Sequence, residues 1–374
     1  MTQKNRLHAL GLSAALLAVT TTATAAPTAE EKIELLSQEV EALRKEIAAK
    51  DYQGSAGRVH LGGYGELHYN NLDSGNEIDF HRFVLYFGYD FTDRIRFRSE
   101  LELEHSLAGD DQPGEVELEQ AFIEFDLTDN HLARGGLFLI PVGILNETHE
   151  PPTFYGVERN PVENQIIPTT WWEGGAALSG NLAPGLSYDF AVTSGLAVDP
   201  ATFAIRGGRQ KVAEALANDP MYTARLRWTG APGVELATTL QYHQDITQSE
   251  AAESASAVLA EAHAILTRGP FGLRALYAQW NIDHPQAEAL GRDKQEGWYI
   301  EPSYRITPKF GVFARYNEWD TEAGAGDATD TVRKQTNIGF NYWPHEQVVI
   351  KFDVQNQSGI VDDDGFNVGI GYMF

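Results

Sequence analysis

No cysteine occurs anywhere in this chain, so neither a disulfide framework nor a thiolate metal centre holds it together. Long apolar runs are also missing beyond the extreme N-terminus, and mean hydropathy is −0.32. That excludes a bundle of membrane helices, each of which needs ~20 apolar residues. It does not exclude a transmembrane β-barrel, whose strands alternate apolar and polar positions and look soluble on average. Basic residues are scarce as well: 28 Lys and Arg face 53 Asp and Glu, a formal charge of −25. A nucleic-acid partner, which requires a basic footprint, is therefore not expected. Acids gather at Asp110-Asp111 and Asp362-Asp363-Asp364 in turn-rich stretches, where their default role is a solvated surface.

What is present begins with an export signal. Lys4 and Arg6 form a basic start, an alanine-rich apolar stretch runs from Ala9 to about Val19, and Ala23-Thr24-Ala25 supplies small residues for cleavage before Ala26. Removal of residues 1–25 takes away Lys4 and Arg6 and no acid, leaving −27 on the mature chain. A helical segment is expected from Thr28 to about Lys50. Ile33, Leu36, Val40, Leu43 and Ile47 repeat at three-four spacing, the seam of a short coiled coil. So few heptads are marginal alone, and the coil is expected to borrow stability from an oligomer formed elsewhere; a single helix packed at a barrel mouth is the alternative. Residues 26–53 thus read as a periplasmic coiled coil and linker, and 54–374 as a separate domain.

From Arg58 the period becomes two. Val59, Leu61, Gly63, Gly65, Leu67 and Tyr69 form one face, and Arg58, His60, Tyr64, Glu66 and His68 the other. The same alternation sets Ile95, Phe97, Ser99, Leu101 and Leu103 against Arg94, Arg96, Arg98, Glu100, Glu102 and Glu104. It sets Tyr222, Ala224, Leu226 and Trp228 against Arg225 and Arg227, and Val348, Ile350, Phe352 and Val354 against Lys351, Asp353 and Gln355. A soluble sandwich also alternates, so the connections decide. Short turn-like links near residues 92, 129, 183, 231, 269, 308 and 345 intersperse with generally longer ones near 74, 110, 155, 205, 250, 288, 326 and 361. Seven turns and eight loops require sixteen strands with both ends on one side, which is the outer-membrane pattern. The expected fold is an all-β, 16-stranded antiparallel transmembrane barrel. Phe366, Val368, Ile370, Tyr372 and terminal Phe374 make an amphipathic last strand. An aromatic C-terminus of this kind resembles the signal read by the outer-membrane assembly machinery, which is an expected partner alongside outer-membrane lipid. Phe91, Trp228, Trp343 and Phe374 are expected at the periplasmic rim as an aromatic girdle.

Function must then lie in the lumen. The longest connection without strand character, about Val142 to Trp171, holds Glu147, His149, Glu150, Glu158, Arg159 and Glu163 among five prolines spanning Pro141–Pro168. Structureless loops beyond ~12–15 residues are usually functional. This one is expected to fold inward as a constriction, with a lid or a clamp onto a neighbouring subunit as the alternatives. Arg94, Arg96, Arg98, Glu100, Glu102, Glu104, Arg225, Arg227 and Lys351 line the lumen by parity, because each charge facing lipid at the midplane costs ~2–4 kcal/mol. The Arg/Glu row reads equally as an ion-selecting ladder or as a self-neutralising brace of the wall. His60, His68, His105, His243 and His263 are scattered without a paired motif. His60 and His68 stand eight residues apart, ~26 Å along a strand, too far to share a metal. No enzyme, cofactor or metal site is expected.

Gly135-Gly136-Leu137-Phe138-Leu139-Ile140-Pro141-Val142-Gly143, Phe80-His81-Arg82-Phe83-Val84-Leu85, Val157-Glu158-Arg159 and Gly174-Gly175 resemble motifs of the phosphate-selective porin O and P family. The resemblance implies a trimeric, sixteen-stranded porin with an inward loop. In that family phosphate preference rests on lysines and a ladder of arginines, whereas the loop here is mostly acidic and holds no lysine. Passive diffusion of small polar or charged solutes is the expected function. Anion or phosphate selectivity is one alternative, and a closed barrel serving as an envelope tether is another.

Overall fold

The computed structural model describes residues 58–324 and 331–374. The expected signal peptide and coiled coil lie outside the described residues.

Sixteen antiparallel strands form one closed sheet. They are β1 (Val59–Leu72), β2 (Gly75–Thr92), β3 (Ile95–Glu104), β4 (Val116–Asp126), β5 (His131–Leu139), β6 (Trp172–Ala183), β7 (Leu186–Thr193) and β8 (Met221–Trp228). The second half comprises β9 (Val234–His243), β10 (Ser256–Arg268), β11 (Phe271–Asp283), β12 (Lys294–Thr307), β13 (Phe310–Asp320), β14 (Arg333–His345), β15 (Val348–Ser358) and β16 (Gly365–Met373), with one short helix, α1 (Pro285–Ala289), before β12. Each strand pairs with its chain neighbours, and β16 returns to β1. The terminus completes the ring: Phe374 N donates to Gly63 O at 2.9 Å and Gly63 N to Phe374 O at 3.0 Å. Closure removes both sheet edges, which a strand-built structure in lipid requires.

The expected strand number and alternation are found. Tyr64, Glu66 and His68 are buried inside, while Leu61 on the opposite face is 78% exposed. Leu85, Phe87, Leu101, Leu118, Leu226, Leu240, Ile338 and Val354 carry this outward apolar band around the barrel. Arginine in place of Ile338, near the middle of β14, should lower barrel stability in liposomes by ~2–4 kcal/mol. The check is the urea midpoint for reversible unfolding from vesicles, which an inward-facing residue 338 would leave nearly unchanged.

Two details differ from the sequence reading. The link between β1 and β2, on the long-loop side, is a hairpin of only residues 73–74. Trp343 does not join the outer girdle: it is 6% exposed, its indole N–H donates to Pro152 O at 3.2 Å, and Arg305 stacks over its ring at 3.8 Å. The reason is parity, since Tyr342 takes the outward position and the next side chain must turn inward.

Two β-bulges re-aim lumenal side chains. Glu66 pairs with Arg82 but His68 with Asp79, so Leu67 faces both Phe80 and His81. Glu100 pairs with Gln120 but Leu101 with Leu118, leaving Glu119 as the inserted residue of β4. Bulges of this kind turn an extra side chain toward one face of a sheet.

Candidate functional site

The β5–β6 connection, loop L3 (residues 140–171), runs inside the barrel. Its first turn depends on Gly143, whose φ of +70° suits glycine and whose Cβ would stand 2.6 Å from the Glu163 carboxylate. Asn146 staples the loop's two ends, donating to Ile140 O at 2.8 Å and Trp171 O at 2.9 Å and accepting from Trp171 N at 2.7 Å. Glu163 is the second fastener. Fully buried, it accepts from Ile144 N at 2.6 Å, Leu145 N at 2.7 Å, Asn160 at 3.0 Å and the Tyr299 hydroxyl at 2.8 Å.

From these fasteners the loop circles the inner wall. Glu147 pairs with Arg225 of β8, which Asp189 also holds at 2.8 Å. His149 approaches β3 and β4, and Glu150 accepts from the Tyr86 hydroxyl at 3.3 Å. Phe154 O accepts from Asn341 at 2.9 Å while Lys351 Nζ stands 3.4 Å above the Phe154 ring. Asp353 accepts from Val157 N at 2.8 Å, Arg315 donates to Glu158 O at 3.2 Å, and the Trp280 indole donates to Ile166 O at 2.9 Å. The anchoring wall residues stand near the middle of their strands, so L3 is a diaphragm at mid-height. Its apolar side of Val142, Ile144, Val162, Ile166 and Ile167 packs on inward-facing Leu276, Ala278 and Trp280 of β11. Leu196, Val198, Phe203 and Ile205 of the β7–β8 connection, loop L4 (residues 194–220), join the same cluster. One sector of the lumen is thus a hydrophobic core, and burial there holds the loops in at ~1.5–3 kcal/mol per large side chain.

The wall residues singled out from the sequence divide into two groups. Arg94, Arg96 and Arg98 stand toward the short-turn end of the barrel, each with an acid: Asp129 at 3.4 Å, Asp126 and Glu124, and Asp90 at 2.8 Å respectively. Arg94, with Arg227, borders a cavity of about 480 Å³ on that side. Glu100 accepts from Gln120 at 2.7 Å, and Glu102 lies 3.4 Å from Arg82. Glu104 lines a separate cavity of about 300 Å³ on the long-loop side of the barrel, with Glu158 and Arg159. The arginine row and the diaphragm therefore do not meet in one place.

Sixteen strands in a closed ring enclose this inward loop. The model of the phosphate-selective porin O and P family matches residues 56–358. The chain belongs to that family. An uncharacterized protein of Aquifex aeolicus is 30% identical over 370 residues, covering 87% of this chain and 82% of its own. The anion-selective porin of Comamonas acidovorans superimposes with a TM-score of 0.59 at 12% identity, over 84% of this chain and 99% of its own. OmpF of Salmonella typhi does so with 0.61 at 12% identity, over 84% and 97%. The protein is an outer-membrane porin, a channel of the bacterial outer membrane.

In this porin the cavity beside Glu104 and Glu158 carries residues not singled out from the sequence. Arg206, Arg209 and Lys211 of L4 join Arg159 of L3 around it. Lys211 is spoken for by Glu115 at 2.7 Å and by Glu117. The three arginines are not: among the described residues no carboxylate forms an ion pair with any of them. They are pinned instead to neutral oxygens. Arg159 donates to the Thr170 hydroxyl at 2.6 Å, Arg206 to Asn164 O and Thr169 O, both at 2.9 Å, and Arg209 to Thr170 O at 2.7 Å. Arg159 Nη2 and Arg209 Nε are buried without partners. Burial lowers the pKa of all three, and like charge adds to it, from Arg82 at Arg159 and from Arg209 at Arg206. The signal was present in the sequence as Arg206-Gly-Gly-Arg-Gln-Lys211, three cations within six residues of an acidic chain.

Proposed function

We propose that this porin conducts small solutes through a narrow waist bounded by L3 and L4, and that the waist favours anions on its external side. The observation that carries the reading is the trio Arg159, Arg206 and Arg209, fixed around residues 169–170 with donors to spare and, among the described residues, no carboxylate partner. A passing oxyanion could accept from these donors at little reorganisation, since the side chains are already held. Glu104, Glu117 and Glu119 line the same cavity, so acids share the passage with the trio. The net acidity of the chain opposes anion entry at long range, but salt screens exposed charge beyond ~10 Å. The unpaired arginines act at contact distance and dominate. Phosphate is one member of the anion class that fits. A homotrimer agrees with this reading, as does a periplasmic N-terminal segment of residues 26–53.

The test is the reversal potential of single channels in a KCl gradient, with phosphate added as competitor. An anion-side potential that phosphate shifts is expected. A cation-side potential would overturn the selectivity, and a silent barrel would favour a tether over a channel. The Arg94, Arg96 and Arg98 row serves as an internal control. Because each is matched by acid on the wall, neutralising all three to glutamine should move the potential little, against a clear shift for the L3–L4 trio. A large shift would return selectivity to the periplasmic row.

A further inference from the structure

One cluster where the diaphragm meets the wall is built from residues other than the Arg159, Arg206 and Arg209 trio. Glu100 of β3, Glu119 of β4 and His149 of L3 are each at most 2% exposed. His149 Nε2 lies 3.6 Å from Glu100 Oε1 and 3.8 Å from Glu119 Oε2, and the three atoms all fall within 4.8 Å of one another. These gaps exceed hydrogen-bond length, and each of the three atoms is buried without a hydrogen-bond partner. Among the described residues neither carboxylate has a lysine or arginine in ion-pair reach.

We propose that Glu100, Glu119 and His149 bind a divalent transition-metal cation, zinc fitting best, which clasps L3 to the barrel wall. Two ligands at ~2.0–2.2 Å from a tetrahedral zinc stand ~3.4 Å apart, close to both separations from His149. The imidazole is set for the role: Nδ1 lies 3.3 Å from Asn146 O. Donation there leaves the Nε2 lone pair facing the two carboxylates, the usual second-shell arrangement of a metal-bound histidine. Gln120 Nε2 donates to the other oxygen of Glu100 at 2.7 Å and orients it likewise. The bulge lets the consecutive residues Glu119 and Gln120 both face inward beside Glu100. One imidazole with two carboxylates suits zinc or manganese rather than the all-oxygen shells of calcium and magnesium. Glu119 also lines the cavity beside Glu104 and Glu158, which supplies an entry path. The competing reading of the same atoms is an imidazolium between two carboxylates, with no metal.

The experiment strips the purified full-length porin with chelator, dialyses it against buffered zinc, and counts bound metal per chain by mass spectrometry. His149→Gln and Glu119→Gln should each lose one zinc per chain and weaken the remaining affinity at least tenfold. His105→Gln, in the separate Asp79–His81–His105 group, should retain that ion. Equal zinc in all four proteins, or none in the unmutated porin, would overturn the proposal in favour of the imidazolium. Heat-modifiable gel migration reports whether each variant folds. If neither does, cobalt loaded into the unmutated porin decides alone: tetrahedral visible absorption supports the site, and its absence overturns it. Reversal potentials do not enter, so this result and the anion preference stand or fall separately.

Discussion

Replacing Glu163 by alanine should release L3 from the lumen and raise single-channel conductance several-fold. The carboxylate receives two backbone N–H groups, an asparagine amide and a tyrosine hydroxyl. All of these would be stranded in an apolar surround of Val162, Ile166 and Ile167. Each buried donor left unpaired costs ~1–3 kcal/mol. With four donors affected, the loop's folded position loses on the order of 4 kcal/mol or more, about a thousandfold in its local equilibrium. The barrel itself should survive, because its ladder hydrogen bonds do not pass through L3. Glutamine at this position keeps one acceptor oxygen and should give an intermediate conductance. Planar-bilayer recordings are the check, paired with protease sensitivity near residues 150–160. Unchanged conductance with an intact loop would show that apolar packing alone holds the diaphragm.

Neutralising Arg159, Arg206 and Arg209 together to glutamine should move the reversal potential strongly toward cations and abolish competition by phosphate. A unit charge within ~5 Å of a passing ion contributes about 1 kcal/mol even in water-like dielectric, roughly a fivefold bias for each guanidinium. Three charges on one side of a narrow cavity therefore outweigh any single substitution. Glutamine retains a neutral amide donor at each position, and the Glu163 and Asn146 fasteners are untouched, so loop position should hold while charge is lost. Single substitutions should give graded steps. A triple variant with the original potential would remove the trio from selectivity, whatever its effect on conductance.

Much of the barrel was legible in the chain. Period-two alternation in residues 58–69, 94–104 and 348–355 marks which side chains meet hydrocarbon and which meet the lumen, because pleating leaves only two directions. Turn chemistry at seven places counted the strands. The aromatic end of β16 announced an amphipathic last strand, and the Pro-rich gap before β6 announced a loop with a task. Less legible was what that loop would do. Glu163 and Glu158 look alike in the sequence, yet Glu163 is a buried fastener and Glu158 bonds His68 at 2.9 Å beside the cavity.

Alternation together with the rhythm of short turns and longer loops determined the closed cylinder and its polar interior, since lipid tolerates no open sheet edge. Tertiary structure alone decided the contents of that interior. The apolar lumenal patch on β11, the two bulges that turn His81 and Glu119, and the meeting of Arg159 with Arg206 and Arg209 all join residues far apart in the chain. Their positions follow from how L3 and L4 pack across the barrel, a contact that no local period encodes.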